Sequence, residues 1–292
     1  MIQLTHLNFA YPKKGVLFRD LNLGLTGENI YGLLGKNGAG KTTLLKIISG
    51  LLFPNAGDCR VLGFKSSKRD PELLTEIFFI TEEFSVPPLT IKEYQALYAP
   101  FYPRFKALEF QSYLEEFSIS AQDKLTRLSY GQKKKFLIAF GLATDSRILI
   151  LDEPTNGLDI PSKSQFRKLL ASTIGPDRIF LISTHQVRDM QQLIDPVLIL
   201  DNGTIIFQHS MTEVNEKLNV QLVKEEPDPE QALFYEKVIG GYSLLGKDEQ
   251  GLGAGVDLEI LFNAVIKNRE KINAIFDDSE VQGEAEKNNG NQ

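Results

Sequence analysis

The chain has 292 residues, of which 42% are hydrophobic and 24% charged, and a formal charge of −6. That mix is globular, and the length allows one large or two modest domains with a sizeable core. A single cysteine, Cys59, excludes an internal disulfide and with it a stapled secreted scaffold.

The sixteen residues from Asp277 hold five acids and one lysine, a net of −4 that leaves only −2 for the rest. Such a body has no basic face for nonspecific nucleic-acid binding. Apolar runs such as Ile148–Leu151 fall far below the roughly 20 residues that span a bilayer. Met1-Ile2-Gln3-Leu4-Thr5 has neither the basic nor the apolar region of a signal peptide. A soluble, cytoplasmic chain is expected.

Ile2–Thr5 and Leu7–Phe9 alternate like a strand. Asn29–Leu34 reads as a buried strand that runs into Gly35–Thr43, after which Leu44, Leu45, Ile47 and Ile48 have helical spacing. Ile77–Ile80, Ile148–Leu151, Ile179–Ile182 and Val197–Leu200 read as further buried strands. Helical patterns between most of them imply crossovers and a largely parallel sheet with covered faces. Residues 84–127 read as mainly helical and hold nine of the chain's 19 Phe and 9 Tyr, which predicts a helical subdomain inserted into the sheet domain. The rings are read either as its core or as a docking surface.

The sheet domain is expected to end near Met211. Short strands at 219–223 and 238–244 and an amphipathic helix over Leu258–Ile275 predict a small C-terminal α+β module spanning 213–276. Gly251-Leu252-Gly253-Ala254-Gly255 lacks the strand before and helix after that a dinucleotide loop needs, and reads as a flexible hairpin turn. Residues 277–292, acidic and without aromatics, cannot bury enough apolar surface to order themselves.

Gly35-Lys36-Asn37-Gly38-Ala39-Gly40-Lys41-Thr42 fits G-x-x-x-x-G-K-[ST], with the strand before and the helix after that the pattern requires. The glycines let successive N–H groups curl around an anion, and the helix adds its positive N-terminal end. Lys41 reaches the β and γ phosphates, and Thr42 offers its hydroxyl to Mg²⁺. The strand Ile148–Leu151 ends in Asp152-Glu153. Ligands sit at the carboxyl ends of parallel strands, so both acids are expected to face the cradle. Asp152 suits the Mg²⁺ shell, and Glu153 suits polarising the attacking water.

Leu128-Ser129-Tyr130-Gly131-Gln132 lies 23 residues before Asp152. With it the sequence resembles the ATP-binding subunits of ABC transporters, whose signature is LSGGQ, over roughly residues 1–212. The resemblance implies a P-loop NTPase cassette of the α/β class: a mainly parallel sheet with flanking helices, an antiparallel β portion and an inserted helical subdomain. It implies that Ser129, Gly131 and Gln132 cover an ATP held by the opposite subunit. Pro154-Thr155-Asn156-Gly157-Leu158-Asp159 looks like the family's D-loop, with Asp159 crossing the dimer interface. Ser183-Thr184-His185 looks like its switch histidine, which contacts the γ-phosphate. Tyr11 resembles the aromatic that stacks on adenine, although an exposed loop tyrosine is the plainer reading. ATP contacts are thus expected from Tyr11, from Gly35, Lys36, Asn37, Gly38, Ala39, Gly40, Lys41, Thr42 and Thr43, and from Ser129, Gly131, Gln132 and Asp159.

The family's glutamine before the helical subdomain corresponds to Glu82, which keeps an oxygen for Mg²⁺ but adds negative charge beside ATP. Tyr130 replaces a glycine. Lys133-Lys134-Lys135 reads as a solvated helix face, the alternative being that one of these lysines supports the phosphate region. The expected partners are a second ATP-binding subunit, identical or not, and a separate transmembrane permease, with no nucleic acid. This places the chain on the cytoplasmic face of the membrane. Residues 240–242 and 257–263 are similar to the tail module of export-type subunits. Two rival readings are a soluble ABC ATPase acting on DNA or ribosomes and a regulatory subunit that binds ATP without hydrolysing it. Against the first stand the lack of a heptad segment and of a basic body; against the second stands Glu153.

Overall fold

The computed structural model describes residues 1–13, 15–27, 29–248 and 255–276. The hairpin turn expected at 251–255, apart from Gly255, and the acidic tail expected at 277–292 lie outside the described residues. The first half of the chain forms β1 (Ile2–Tyr11), β2 (Gly15–Leu25), β3 (Asn29–Leu34), α1 (Lys41–Ile48), β4 (Ala56–Val61) and β5 (Phe64–Lys65). It continues through α2 (Pro71–Thr75), β6 (Ile77–Ile80), α3 (Ile91–Tyr98), α4 (Ala107–Glu116) and α5 (Tyr130–Ala143). Then come β7 (Ile148–Asp152), α6 (Ile160–Thr173), β8 (Ile179–Thr184), α7 (Val187–Met190), β9 (Val197–Asp201) and β10 (Thr204–His209). The last elements are α8 (Met211–Lys217), β11 (Leu218–Val223), β12 (Phe234–Val238), β13 (Gly241–Lys247) and α9 (Leu258–Lys267).

Contacts divide the chain into two compact units, residues 1–195 with 200–205, and residues 196–199 with those from Ile206 on. In the first unit β1 pairs antiparallel with β2 and β4, giving a four-stranded sheet in the order β2-β1-β4-β5. Its second sheet runs β3-β8-β7-β6, and the pairs β3–β8, β8–β7 and β7–β6 are parallel. Its central strands are continuous apolar runs, buried at every residue in β7 and β8, as a sheet covered on both faces requires. Register sets the site: Leu34 pairs with Thr184, Asp152 with Ser183, and Ile80 with Leu151. The loops after β3, β6, β7 and β8 therefore open on one edge of the sheet.

α1 buries Leu44, Leu45, Ile47 and Ile48 completely, as the spacing predicts. α5 is buried along most of its length, from Phe136 to Ala143. The rings of Tyr94, Phe105, Phe110 and Phe78 lie 5.1, 5.1, 5.6 and 5.7 Å from that of Phe140. Of the aromatics of 84–127, Phe110, Tyr113 and Phe117 are buried core, five are half-buried, and Phe101, 64% exposed, is the one with a large free surface.

In the second unit β11, β13 and β12 form an antiparallel sheet. The single strand expected over 238–244 is divided: Val238 ends β12, residues 239–240 form the turn, with Gly240 at a left-handed φ of 95°, and residues 241–244 begin β13. The helix expected over Leu258–Ile275 stops at Lys267: Asn268 (φ −132°, ψ 46°) breaks it and donates its amide to the Leu233 carbonyl at 2.8 Å. Helix resumes over 269–276, where Phe276 packs edge-on against Phe207.

Candidate nucleotide site

The cradle is the loop between β3 and α1. Gly40 sits at φ 112°, and a Cβ there would lie 2.8 Å from the Phe18 ring, so both conformation and space demand glycine. Lys41 is buried, and its Nζ donates to the carbonyls of Gly35 (2.7 Å) and Lys36 (3.3 Å), arching the ammonium over the loop. Burial lowers its pKa, while Glu153, Asp152 and Glu82 pull it back up.

A cavity of about 600 Å³ opens over this loop. Lys36, Asn37, Gly38, Gly40, Lys41, Thr42 and Thr43 line it, and Tyr11, Glu82 and Glu153 close its sides. Tyr11 is held by a hydroxyl contact with Thr43 Oγ1 at 3.0 Å and packs edge-on against Phe9. Ala39 is buried beneath the loop. A larger cavity of about 730 Å³ lies elsewhere, beside the residues that precede β7 and β8. Its Arg104, Lys106 and Arg178 are paired with Asp145, and it contains none of the cradle.

Asp152 ends β7 with 1% exposure, and its Oδ2 accepts from Thr42 Oγ1 at 2.7 Å. Ser183 Oγ donates to its other oxygen. Glu153 follows at a left-handed φ of 47°, an uncommon backbone for a non-glycine residue that functional sites often retain. Its Oε1 is hydrogen-bonded to His185 Nδ1 at 2.7 Å and lies 4.0 Å from Lys41 Nζ. The His185 N–H donates to Oε2 at 3.3 Å. Glu82 Oε1 accepts from Asn156 Nδ2 at 3.0 Å.

Thr42 Oγ1, Asp152 and Glu82 offer hard oxygen donors of the kind Mg²⁺ takes. Among the described residues no cluster of three His, Cys, Asp or Glu side chains could hold a metal alone. This donor set fits an ion held by one or two protein oxygens and completed by phosphate oxygens and water.

Ser129, Gly131, Gln132 and Asp159 do not line this cavity. Ser129 caps α5: its Oγ accepts from Gln132 N at 3.2 Å, and Gln132 Oε1 accepts from Ser129 N at 2.9 Å. Asp159 caps α6 by accepting from Ser162 N at 2.9 Å, and hydrogen bonding by the Ser162 side chain, then by its backbone N–H, lowers its pKa. Tyr130 is not free either: its hydroxyl donates to the Glu82 carbonyl at 2.8 Å, and its ring stacks on Phe84.

Sequence reasoning missed Ser183, Asn156 and Gln186, whose amide donates to Asn156 Oδ1 at 3.0 Å. It also misread Lys134. The solvated face expected for 133–135 holds for neither burial nor bonding there, because Lys134 is 0% exposed and its Nζ donates to the carbonyls of Glu153 (2.8 Å) and Asn156 (3.1 Å). Burial lowers its pKa to about 8 against the opposing pull of Glu82, Glu153 and Asp152.

The ABC transporter family model matches residues 18–156. The ABC transporter ATP-binding protein NatA of Bacillus subtilis is 30% identical over 254 residues, which cover 83% of this chain and all of that protein. The bacitracin transport ATP-binding protein BcrA of Bacillus licheniformis is 33% identical over 233 residues, 76% of this chain and 75% of that one. A dimeric ATP-binding cassette, solved in a post-hydrolysis state bound to ADP and Pi, superposes with a TM-score of 0.63 at 23% identity, covering 72% of this chain and 98% of that one. The fold is that of an ABC ATPase cassette. Sequence kinship over the whole of one relative and the cradle geometry agree: the chain belongs to the ABC transporter family, among its ATP-binding subunits.

Proposed function

We propose that this chain hydrolyses ATP with Mg²⁺ as one of two ATP-binding subunits that close head to tail, and that closure drives a separate transmembrane permease, in the export direction. The carrying observation is the Glu153 carboxylate at the end of β7, hydrogen-bonded to His185 and 4.0 Å from Lys41 at the cradle cavity. In this reading Glu153 takes a proton from the water that attacks the γ-phosphorus. Lys41 stabilises the charge that develops on the transferring phosphoryl, and His185 orients Glu153 and reaches the γ-phosphate. Bound Mg²⁺ would be held by Thr42, Asp152 and Glu82, and it supplies charge neutralisation at the phosphate oxygens. Tyr11 stacks on adenine.

Ser129, Gly131, Gln132 and Asp159 belong, in the same reading, to the opposite nucleotide. Their absence from their own chain's cavity supports this, as does the dimeric state of the structural neighbour. Residues 1–212 are the ATP-binding domain with 84–127 as its helical subdomain, and 213–276 form a small added module. Export rests on the likeness of that module to export-type tails. No described helix is long and apolar enough to cross a membrane, which accords with work through a membrane partner on its cytoplasmic face.

The test is ATP turnover by the full chain beside Glu153→Gln, with size-exclusion chromatography in ATP. Removing a general base is expected to lower kcat by about 10²–10⁴-fold, with the variant accumulating as an ATP-bound dimer. Full turnover by the variant would overturn the assignment of the base.

A further inference from the structure

Lys134 is fully buried, while Lys133 and Lys135 beside it on α5 are only half-buried. An ammonium removed from water is costly unless its donors and its charge are both matched. Two of its three donors are matched by the carbonyls of Glu153 and Asn156. Its Nζ also lies 5.4 Å from the centre of the Tyr130 ring, within cation–π reach. Among the described residues no carboxylate lies within ion-pair distance of it; Glu82, Glu153 and Asp152 stand further off and favour its charged form, Glu82 most.

Three segments are tied to one another around this cation: the turn after β6, the start of α5 and the turn after β7. Glu82 is tied to Asn156 through its carboxylate and to Tyr130 through its carbonyl. Tyr130 stacks on Phe84 with ring centres 5.2 Å apart, and a Cβ on Gly157 would strike the Tyr130 ring at 2.7 Å. Asn156 is bound by both Gln186 and Lys134. Glu153 itself stands in a left-handed conformation at φ 47°, a state that persists only where neighbours over-determine it. Lys134 is the side chain that grips its carbonyl.

We propose that Lys134 is a positioning residue for ATP hydrolysis: its ammonium holds the left-handed Glu153 turn through two carbonyls and offsets the negative charge of Glu82. This rests on the reading of Glu153 as the base. The two departures from neutrality then form a matched set. A cation is needed at 134 because a carboxylate stands at 82, and a neutral side chain at 82 removes the need that Lys134→Gln leaves unmet.

The test compares the full chain with Lys134→Gln, Glu82→Gln, the double variant, and Glu153→Gln as control. ATP turnover is measured beside amide hydrogen exchange of residues 153–157. Lys134→Gln is expected to lower kcat by about 10–100-fold while KM for ATP moves less than about threefold. The double variant is expected to return to within about fivefold of the unmodified chain, a rescue that loss of packing alone cannot give. Exchange over 153–157 should quicken by about tenfold in Lys134→Gln and slow again in the double variant. Unmodified kcat and exchange in Lys134→Gln overturn the proposal, and so does a double variant as impaired as the single one. Turnover retained by Glu153→Gln, or absent from the unmodified chain, removes the reading of the base; the exchange data still decide the role of Lys134. If Lys134→Gln does not fold, the double variant must fold, and failure of both overturns the charge matching.

Discussion

The cradle and the signature turn are both loops that open a helix, and they satisfy their polar groups in opposite ways. In the cradle, Lys41 bonds two carbonyls of its own loop and Thr42 bonds Asp152 from another strand, and the loop lines a cavity of about 600 Å³. At the signature turn, Ser129 and Gln132 cap each other, and Tyr130 and Gln132 stay exposed away from that cavity. The cradle gathers groups from three strand ends into a site within one chain. The turn is stable without a ligand and offers its helix N-terminus outward, which is what a surface for another molecule's phosphate requires.

Mutations that separate these halves sharpen the comparison. After the loss of the base, the largest effect is expected in the cradle. Lys41→Ala removes a charge-assisted phosphate contact, expected to weaken ATP binding by about 10–100-fold in titrations with the single chain. Ser129→Ala should leave that titration within about twofold of the unmodified chain, because Ser129 lies outside its own chain's cradle cavity. The same change should lower turnover by about tenfold and, as the loss of an N-cap, stability by about 1 kcal/mol. Equal losses of single-chain ATP affinity in the two variants would erase the distinction drawn here.

The cradle and the sheet were legible because their information is local. Gly40 needs its conformation whatever surrounds it, and four-residue runs such as Ile148–Leu151 admit little but burial. Asp152 and Glu153 followed from the rule that ligands sit at parallel strand ends. That one of three adjacent lysines could serve the phosphate region was an open alternative, but which one was not legible: three lysines in a row look solvated, and only folding brings the second under the Glu153 turn. The break at Asn268 escaped for a related reason, since its side chain answers a carbonyl 35 residues away that helical periodicity cannot report. The nine aromatics were countable, but whether a ring faces core or solvent depended on Phe136 and Phe140 of α5, which lie outside the segment.

The smallest effect is expected where the two halves touch. Glu82 lines the cradle cavity, yet its carbonyl is bound by Tyr130 of the signature turn and its carboxylate by Asn156. A full extra charge beside ATP, Asp152 and Glu153 ought to slow hydrolysis strongly, because like charges repel across a site poor in water. Lys134 feels Glu82 ahead of Glu153 and Asp152, so its ammonium offsets part of that charge. Glu82→Gln is therefore expected to raise turnover by only about two- to fivefold and to shift the Mg²⁺ concentration for half-maximal rate, since a neutral amide oxygen is a weaker ligand than a carboxylate. Turnover and Mg²⁺ dependence both unchanged would mean that the charge at 82 does not reach the reacting phosphate. A gain of a hundredfold or more would mean that Lys134 does not offset it, and the two halves would then be coupled by charge far more tightly than their hydrogen bonds suggest.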